Sequence, residues 1–99
     1  MAYRNKRLLR SAEGQACVNC GAVGTTIAAH VRSVELVSGT GIKAQDYYTA
    51  HVCQRCHELI DGRTGKLSGA FQREMWTRCF LKTVARWFDQ GIVIVKGDQ

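Results

Sequence analysis

Two Cys-x-x-Cys pairs, Cys17-Val18-Asn19-Cys20 and Cys53-Gln54-Arg55-Cys56, constrain this chain more than any other feature. A two-residue spacer lets both thiolates of a pair turn towards one point. Zinc takes four soft ligands in a tetrahedron, so two such pairs a few dozen residues apart read as one zinc site made by Cys17, Cys20, Cys53 and Cys56. A chain of 99 residues has use for it. At this size folding buries only about two-thirds of the unfolded surface, and structural zinc contributes on the order of 10–16 kcal/mol in small finger peptides. A redox dithiol fits two spaced pairs less well than a metal knuckle does. The fifth cysteine, Cys79, falls in a helical pattern and reads as a buried structural thiol.

Residues 1–99 are expected to form one packed domain, since the apolar fraction of 45% and two tryptophans argue against disorder. No apolar run approaches the roughly 20 residues that span a bilayer, and the first residues lack a signal-peptide core. A reducing cytoplasm is the expected compartment, where paired thiols bind metal more often than they form disulfides. The net charge of +6 points to a polyanionic partner. Arg4, Lys6, Arg7 and Arg10 crowd the first ten residues, and Arg32, Lys43, Arg55, Arg63 and Lys66 repeat the excess around the cysteines. Phosphate contact is the functional reading of these cations and a solvated surface the plain one.

Along the chain, residues 4–13 read as a short basic helix ended by Gly14. Residues 25–31, rich in β-formers, read as a strand with His30 near its end. Ser38-Gly39-Thr40-Gly41 marks a loop. Residues 47–52 form a second strand that delivers Cys53, and 55–61 a helix opening on the second knuckle. From 68 to 90 the spacing of Trp76, Phe80, Val84, Trp87 and Phe88 predicts a long helix with one apolar stripe facing the core. That helix could equally serve as a dimer face. Gly91 stops it, and residues 92–95 are β-branched enough for a closing strand. The fold class is therefore α+β. Knuckle, hairpin and a second knuckle at a helix start are in the order of a treble clef, with the long C-terminal helix appended.

Cleaving a phosphodiester requires a group to deprotonate water near neutral pH and a centre to absorb charge on the phosphate and the leaving oxygen. Histidine suits the first task, a divalent cation the second. His30 is the candidate base. His57 follows Cys56 directly, Asp61 lies one helical turn further on the same face, and Asp46 enters from the loop before the second strand. His57 and the aspartates are candidates to hold a catalytic Mg2+ or Mn2+, apart from the closed Zn2+ site.

The runs Ala28-Ala29-His30-Val31-Arg32, Gly39-Thr40-Gly41-x-Lys43-x-x-Asp46 and Cys53-x-x-Cys56-His57-x-x-x-Asp61 resemble the HNH (ββα-metal) nucleases. They are most similar to the small prophage-encoded members, and a phage nuclease that cuts recombinase-coated DNA is a more distant relative. The resemblance spans roughly residues 7–63. It implies a treble-clef-like ββα-metal core, structural zinc, and metal-dependent DNA endonuclease activity in recombination or DNA processing in a bacterial host cell. A recombination protein is the partner it suggests. It assigns His30 the general-base role and His57 a metal-site role. The sequence departs from the family at the middle asparagine, where Tyr48 stands; Asp46, two residues earlier, is the nearest replacement.

Each residue has a second reading. His57 is a zinc ligand or a backbone cap in the alternative; Asp61 is a solvated or helix-ending carboxylate. Asp46 binds metal, orients His30, or caps its turn. Arg32, Lys43, Arg7 and Arg10 are candidate nucleic-acid contacts or plain surface charges. His51, with no counterpart in the motif, reads as a surface or supporting residue. The competing function is a nucleic-acid-binding zinc module without catalysis.

Overall fold

The computed structural model describes residues 3–31 and 45–97. Their elements are α1 (Lys6–Arg10), β1 (Thr26–His30), β2 (Thr49–Cys53), α2 (Gln54–Ile60) and α3 (Gly69–Asp89), an α+β arrangement around a two-stranded sheet. The strands are antiparallel, with Thr26 opposite Cys53 and His30 opposite Thr49. That register sets the end of β1 beside the turn that carries Asp46, and the start of β1 beside the second cysteine pair.

Each helix starts where a side chain can satisfy its open N–H groups. Asn5 accepts from the Leu8 N–H for α1. Ser68 does the same from Phe71 for α3. For α2 the cap is Cys53, whose sulfur accepts from the Cys56 N–H, so one residue ends a strand, opens a helix and offers a metal ligand. The first knuckle closes through bonds from the Gly21 N–H to the Cys17 carbonyl and from the Cys17 N–H to the Ala22 carbonyl. Gly21 sits at φ +82°, in the left-handed region that favours glycine. The Val18 N–H then donates to the His51 carbonyl at 2.9 Å and ties the knuckle to β2.

Every residue of β2 is buried, because helices and the knuckle cover both of its faces. Val31, Ala50, Val52, Ile60, Trp76 and Cys79 form the centre of the core. The buried stripe of α3 runs Trp76, Cys79, Thr83, Trp87. Phe88, expected in that stripe, is instead exposed. The expected closing strand at 92–95 is absent: the segment pairs with neither strand, and Ile94 and Val95 face solvent. α1 is shorter than expected at both ends: Asn5 caps its start, with Arg4 before it bonded to Asp46, and residues 11–14 are turns.

Of the two readings of His51, surface or supporting, the surface one is corrected: the residue lies in the core. It is fully buried, with its ring edge-on to Trp87 at 5.8 Å between centroids. Ser11 Oγ gives its proton to the Leu8 carbonyl and accepts from Trp87 Nε1. His51 Nε2 must therefore donate to Ser11 at 3.3 Å, leaving Nδ1 to accept from the Arg86 guanidinium at 3.2 Å. Burial, then the charge of Arg86, holds its pKa down to about 4. The fold thus binds the neutral ring. The corresponding stability is complete above about pH 6.5 and is lost as pH falls towards 4, a total of about 3 kcal/mol. The urea midpoint of the wild-type protein is expected to drop more steeply between pH 6.5 and 4.5 than that of His51→Gln. Parallel curves would show that His51 does not carry this dependence.

Candidate active site and metal centre

The four knuckle cysteines converge as expected. Their sulfurs all lie within 4.8 Å of one another, and among the described residues they are the one group of three or more metal-ligating side chains so arranged. Zinc–sulfur bonds of about 2.3 Å in a tetrahedron require sulfurs about 3.8 Å apart; Cys20 and Cys53 are 3.7 Å apart. The donors around the sulfurs suit thiolates. Cys17 accepts from the Asn19 and Cys20 N–H groups, both at 3.4 Å. Cys56 accepts from the Asn19 side-chain amide at 3.3 Å.

Burial pushes the Cys17 thiol up, but hydrogen bonds from the backbones of Cys20, Cys53 and Asn19 outweigh it and bring its pKa to about 6. Cys56 is pushed up to about 12 by burial and by its three neighbouring thiols, against the pull of Asn19. Four thiols so close cannot all ionise alone. A divalent cation such as Zn2+, held by these four cysteines, would supply the missing charge and favour their thiolate forms together.

A second cluster forms at the far end of the sheet. Asp46 is only 2% exposed, and three donors reach its carboxylate. Arg4 at 2.9 Å and His30 Nε2 at 3.0 Å share Oδ1, and the Asn5 N–H donates to Oδ2 at 2.7 Å. Burial raises the carboxyl pKa, yet these bonds, His30 first, outweigh it and hold it below its ordinary value. Asp46 is therefore a carboxylate at neutral pH and can only accept. The proton of a neutral His30 then lies on Nε2, which leaves the basic lone pair on Nδ1. The His30 side chain is 36% exposed, so the ring is anchored at Nε2 and still reaches solvent.

Of the expected site residues, the structure brings His30 and Asp46 together. His57 packs edge-on against Trp76 at 5.9 Å between centroids. Asp61 caps α2 and pairs with Arg63 at 3.4 Å. Neither joins His30 and Asp46 in a metal-sized group. Arg7 and Arg10 are exposed on α1, while Arg32, Lys43 and the 38–41 loop lie outside the described residues. Sequence reasoning missed Arg4 and Asn5 as partners of Asp46, and Asn19 as a donor to the cysteine cluster. No spacing rule links residue 4 to residue 46; only the basic run hinted at Arg4.

The family described as "Putative nuclease YbcO" matches residues 6–92. "Putative nuclease YbcO" of Escherichia coli strain K12 is 29% identical over 92 residues, covering 87% of this chain and 95% of that protein. The protein of the same description from Enterobacteria phage 82 matches with the same identity and coverage. A solved structure, described as that of a putative bacteriophage protein from Escherichia coli K-12 MG1655, superposes with a TM-score of 0.66 at 24% identity. The match covers 85% of this chain and 99% of that one.

Proposed function

The chain belongs to the family described as "Putative nuclease YbcO", and from that premise we propose that it is a metal-dependent DNA endonuclease of phage or prophage origin. In this reading the knuckle, hairpin and α2 are a treble-clef-like ββα-metal core of HNH type, working on DNA in the cytoplasm of a bacterial host. The observation that carries the proposal is the His30–Asp46 pair: a half-exposed imidazole whose Nε2 is held by a buried carboxylate on a chain of net charge +6.

The chemistry follows from the protonation pattern. His30 Nδ1 takes a proton from water as the water oxygen attacks phosphorus. The bond from phosphorus to the leaving oxygen breaks, and that oxygen departs with the electron pair and then takes a proton from solvent. Asp46 orients the ring and stabilises the imidazolium that forms, the part a buried carboxylate plays behind a catalytic histidine. Asp46 is thus a positioning group, with both carboxylate oxygens already engaged by protein donors. It stands in for the middle asparagine of HNH nucleases. The cysteine cluster supports the scaffold by joining the first knuckle to β2 and α2. Mg2+ or Mn2+ would neutralise charge on the phosphate and the leaving oxygen. His57 and Asp61 are the residues proposed to serve it, though the described residues do not converge on a second cation site, so no step is routed through one.

The test is conversion of supercoiled plasmid to nicked or linear product by pure protein with Mg2+ or Mn2+, with His57→Ala beside it. Cleavage by the wild type and a loss of about 100-fold or more in His57→Ala at unchanged zinc content are expected. Full activity in the variant would restrict His57 to packing against Trp76. Inert wild-type protein that still binds DNA would leave a nucleic-acid-binding zinc module.

A further inference from the structure

We propose that Tyr3 and Tyr47 form a stacking platform for an unpaired base of DNA, set beside the His30–Asp46 pair. The bearing on cleavage rests on the nuclease reading, but the binding consequence stands alone. Four aromatic rings run in a row from the core to the surface. Phe80 on α3 meets Tyr48 at 5.7 Å between centroids, Tyr48 meets Tyr47 at 4.6 Å, and Tyr47 meets Tyr3 at 5.6 Å. Phe80 and Tyr48 are partly buried and pack against the core. Tyr47 and Tyr3 are 40% and 46% exposed, so core packing accounts for the inner half of the row and not for its outer end. The outer two rings are tilted at 53° to each other and do not close face to face.

The position of that end points to its ligand. Tyr47 follows Asp46, whose carboxylate holds His30 Nε2 at 3.0 Å, and the Asp46 N–H donates to the Tyr3 carbonyl at 3.0 Å. Both tyrosines therefore sit on the backbone that frames the His30 ring. The Tyr48 N–H closes the turn on the Gln45 carbonyl at 2.9 Å, and the Tyr3 N–H bonds the Gln45 side chain. Aromatic rings on a fixed backbone lose little further freedom on binding. Lys6, Arg7 and Arg10 stand exposed on α1, and no acidic residue occurs before Glu13. Cations that track the phosphates beside aromatic rings that take the bases are how single strands are held without sequence preference. A paired base is already stacked between its neighbours, so the platform favours an unpaired one. The same rings would also make a plain anchor for the first residues, and the test must separate anchoring from stacking.

Tyr3→Leu and Tyr47→Leu keep apolar bulk and remove the ring, whereas Tyr47→Phe keeps the ring. Affinities for a labelled single strand and for the paired duplex of the same sequence would be measured without added Mg2+ or Mn2+, with zinc content and melting temperature checked in each protein. The leucine variants should bind the single strand about 5- to 100-fold more weakly, the scale of one lost stack, and lower the ratio of single-strand to duplex affinity. Tyr47→Phe should keep the wild-type ratio. Wild-type protein should also quench 2-aminopurine placed in a thymine strand. An unchanged ratio in the leucine variants overturns the proposal and leaves the tyrosines an anchor. A phenylalanine variant as weak as the leucine one overturns it too, since the hydroxyl and not the ring would make the contact. Unquenched 2-aminopurine at every position of the strand overturns it with no variant needed. With Mg2+ or Mn2+ added, wild type should cut a forked duplex faster than a fully paired one, and Tyr47→Leu should lose that preference. Equal wild-type rates overturn the platform's place in the active site. If wild type cuts neither, the nuclease reading fails separately, and the affinity ratio still decides whether the platform holds a base.

Discussion

Removal of zinc is expected to unfold the protein. The four sulfurs join the first knuckle to the end of β2 and the first turn of α2, adding to the backbone bond from Val18 to His51 and the core packing of β2. Zinc binding in small fingers supplies about 10–16 kcal/mol, as much as the whole stability of an ordinary domain, about 5–15 kcal/mol. Cys53→Ala should be as damaging as chelation, because it removes a metal ligand and also the side-chain cap of α2. Cys79→Ser should leave zinc binding intact, since Cys79 is buried on α3 outside the cluster. Far-UV circular dichroism during titration with a chelator, with released zinc counted, checks this. The expected result is one zinc per chain and loss of helical signal in step with its release. A spectrum unchanged after all zinc has gone would contradict it.

The second large effect is expected at Asp46. The amide of Asp46→Asn cannot satisfy its neighbours as the carboxylate does, because Arg4, Asn5 and His30 all present donors. If the new NH2 faces His30, Nε2 becomes an acceptor, the proton moves to Nδ1, and the base is lost. If the amide oxygen faces His30, the NH2 meets the Asn5 N–H head-on. Either arrangement should lower cleavage by about 10²–10⁴-fold, the range of general base catalysis, with zinc retained. The sign of the acid response follows from the depressed pKa of Asp46. The pairing is intact above the ordinary carboxylate pKa of about 3.9 and is lost only as pH falls through the lower folded value. Loss of activity between pH 7 and 5 therefore cannot come from protonation of Asp46. Nitrogen-15 shifts of His30 report the tautomer directly; an Asp46→Asn protein with unchanged tautomer and near wild-type cleavage would refute the positioning role.

Much of the scaffold was legible in the sequence because its causes are local. The cysteine spacing announced the sulfur cluster, and both strands and the two later helices lie within a residue or two of their expected bounds. The failures share one cause, the partner an element meets in three dimensions. Residues 92–95 have the side chains of a strand, but among the described residues the sheet has two strands and neither pairs with them. β2 is buried on both faces, so polar residues along it, such as Thr49 and His51, lie in the core and not on a wet side. At the site, His30 was placed correctly at the end of a strand. Asp46 was left among three roles, because choosing between them needs Arg4 and Asn5, some forty residues distant in sequence. No helix among the described residues is long and apolar enough to cross a membrane.

The most direct test of the central claim is cleavage of supercoiled plasmid by wild-type and His30→Ala proteins at matched zinc content, with Mg2+ or Mn2+ present. The account predicts nicked or linear product from the wild type and a loss of about 10²–10⁴-fold in the variant. Equal cleavage by the two proteins would contradict it and remove His30 from the chemistry.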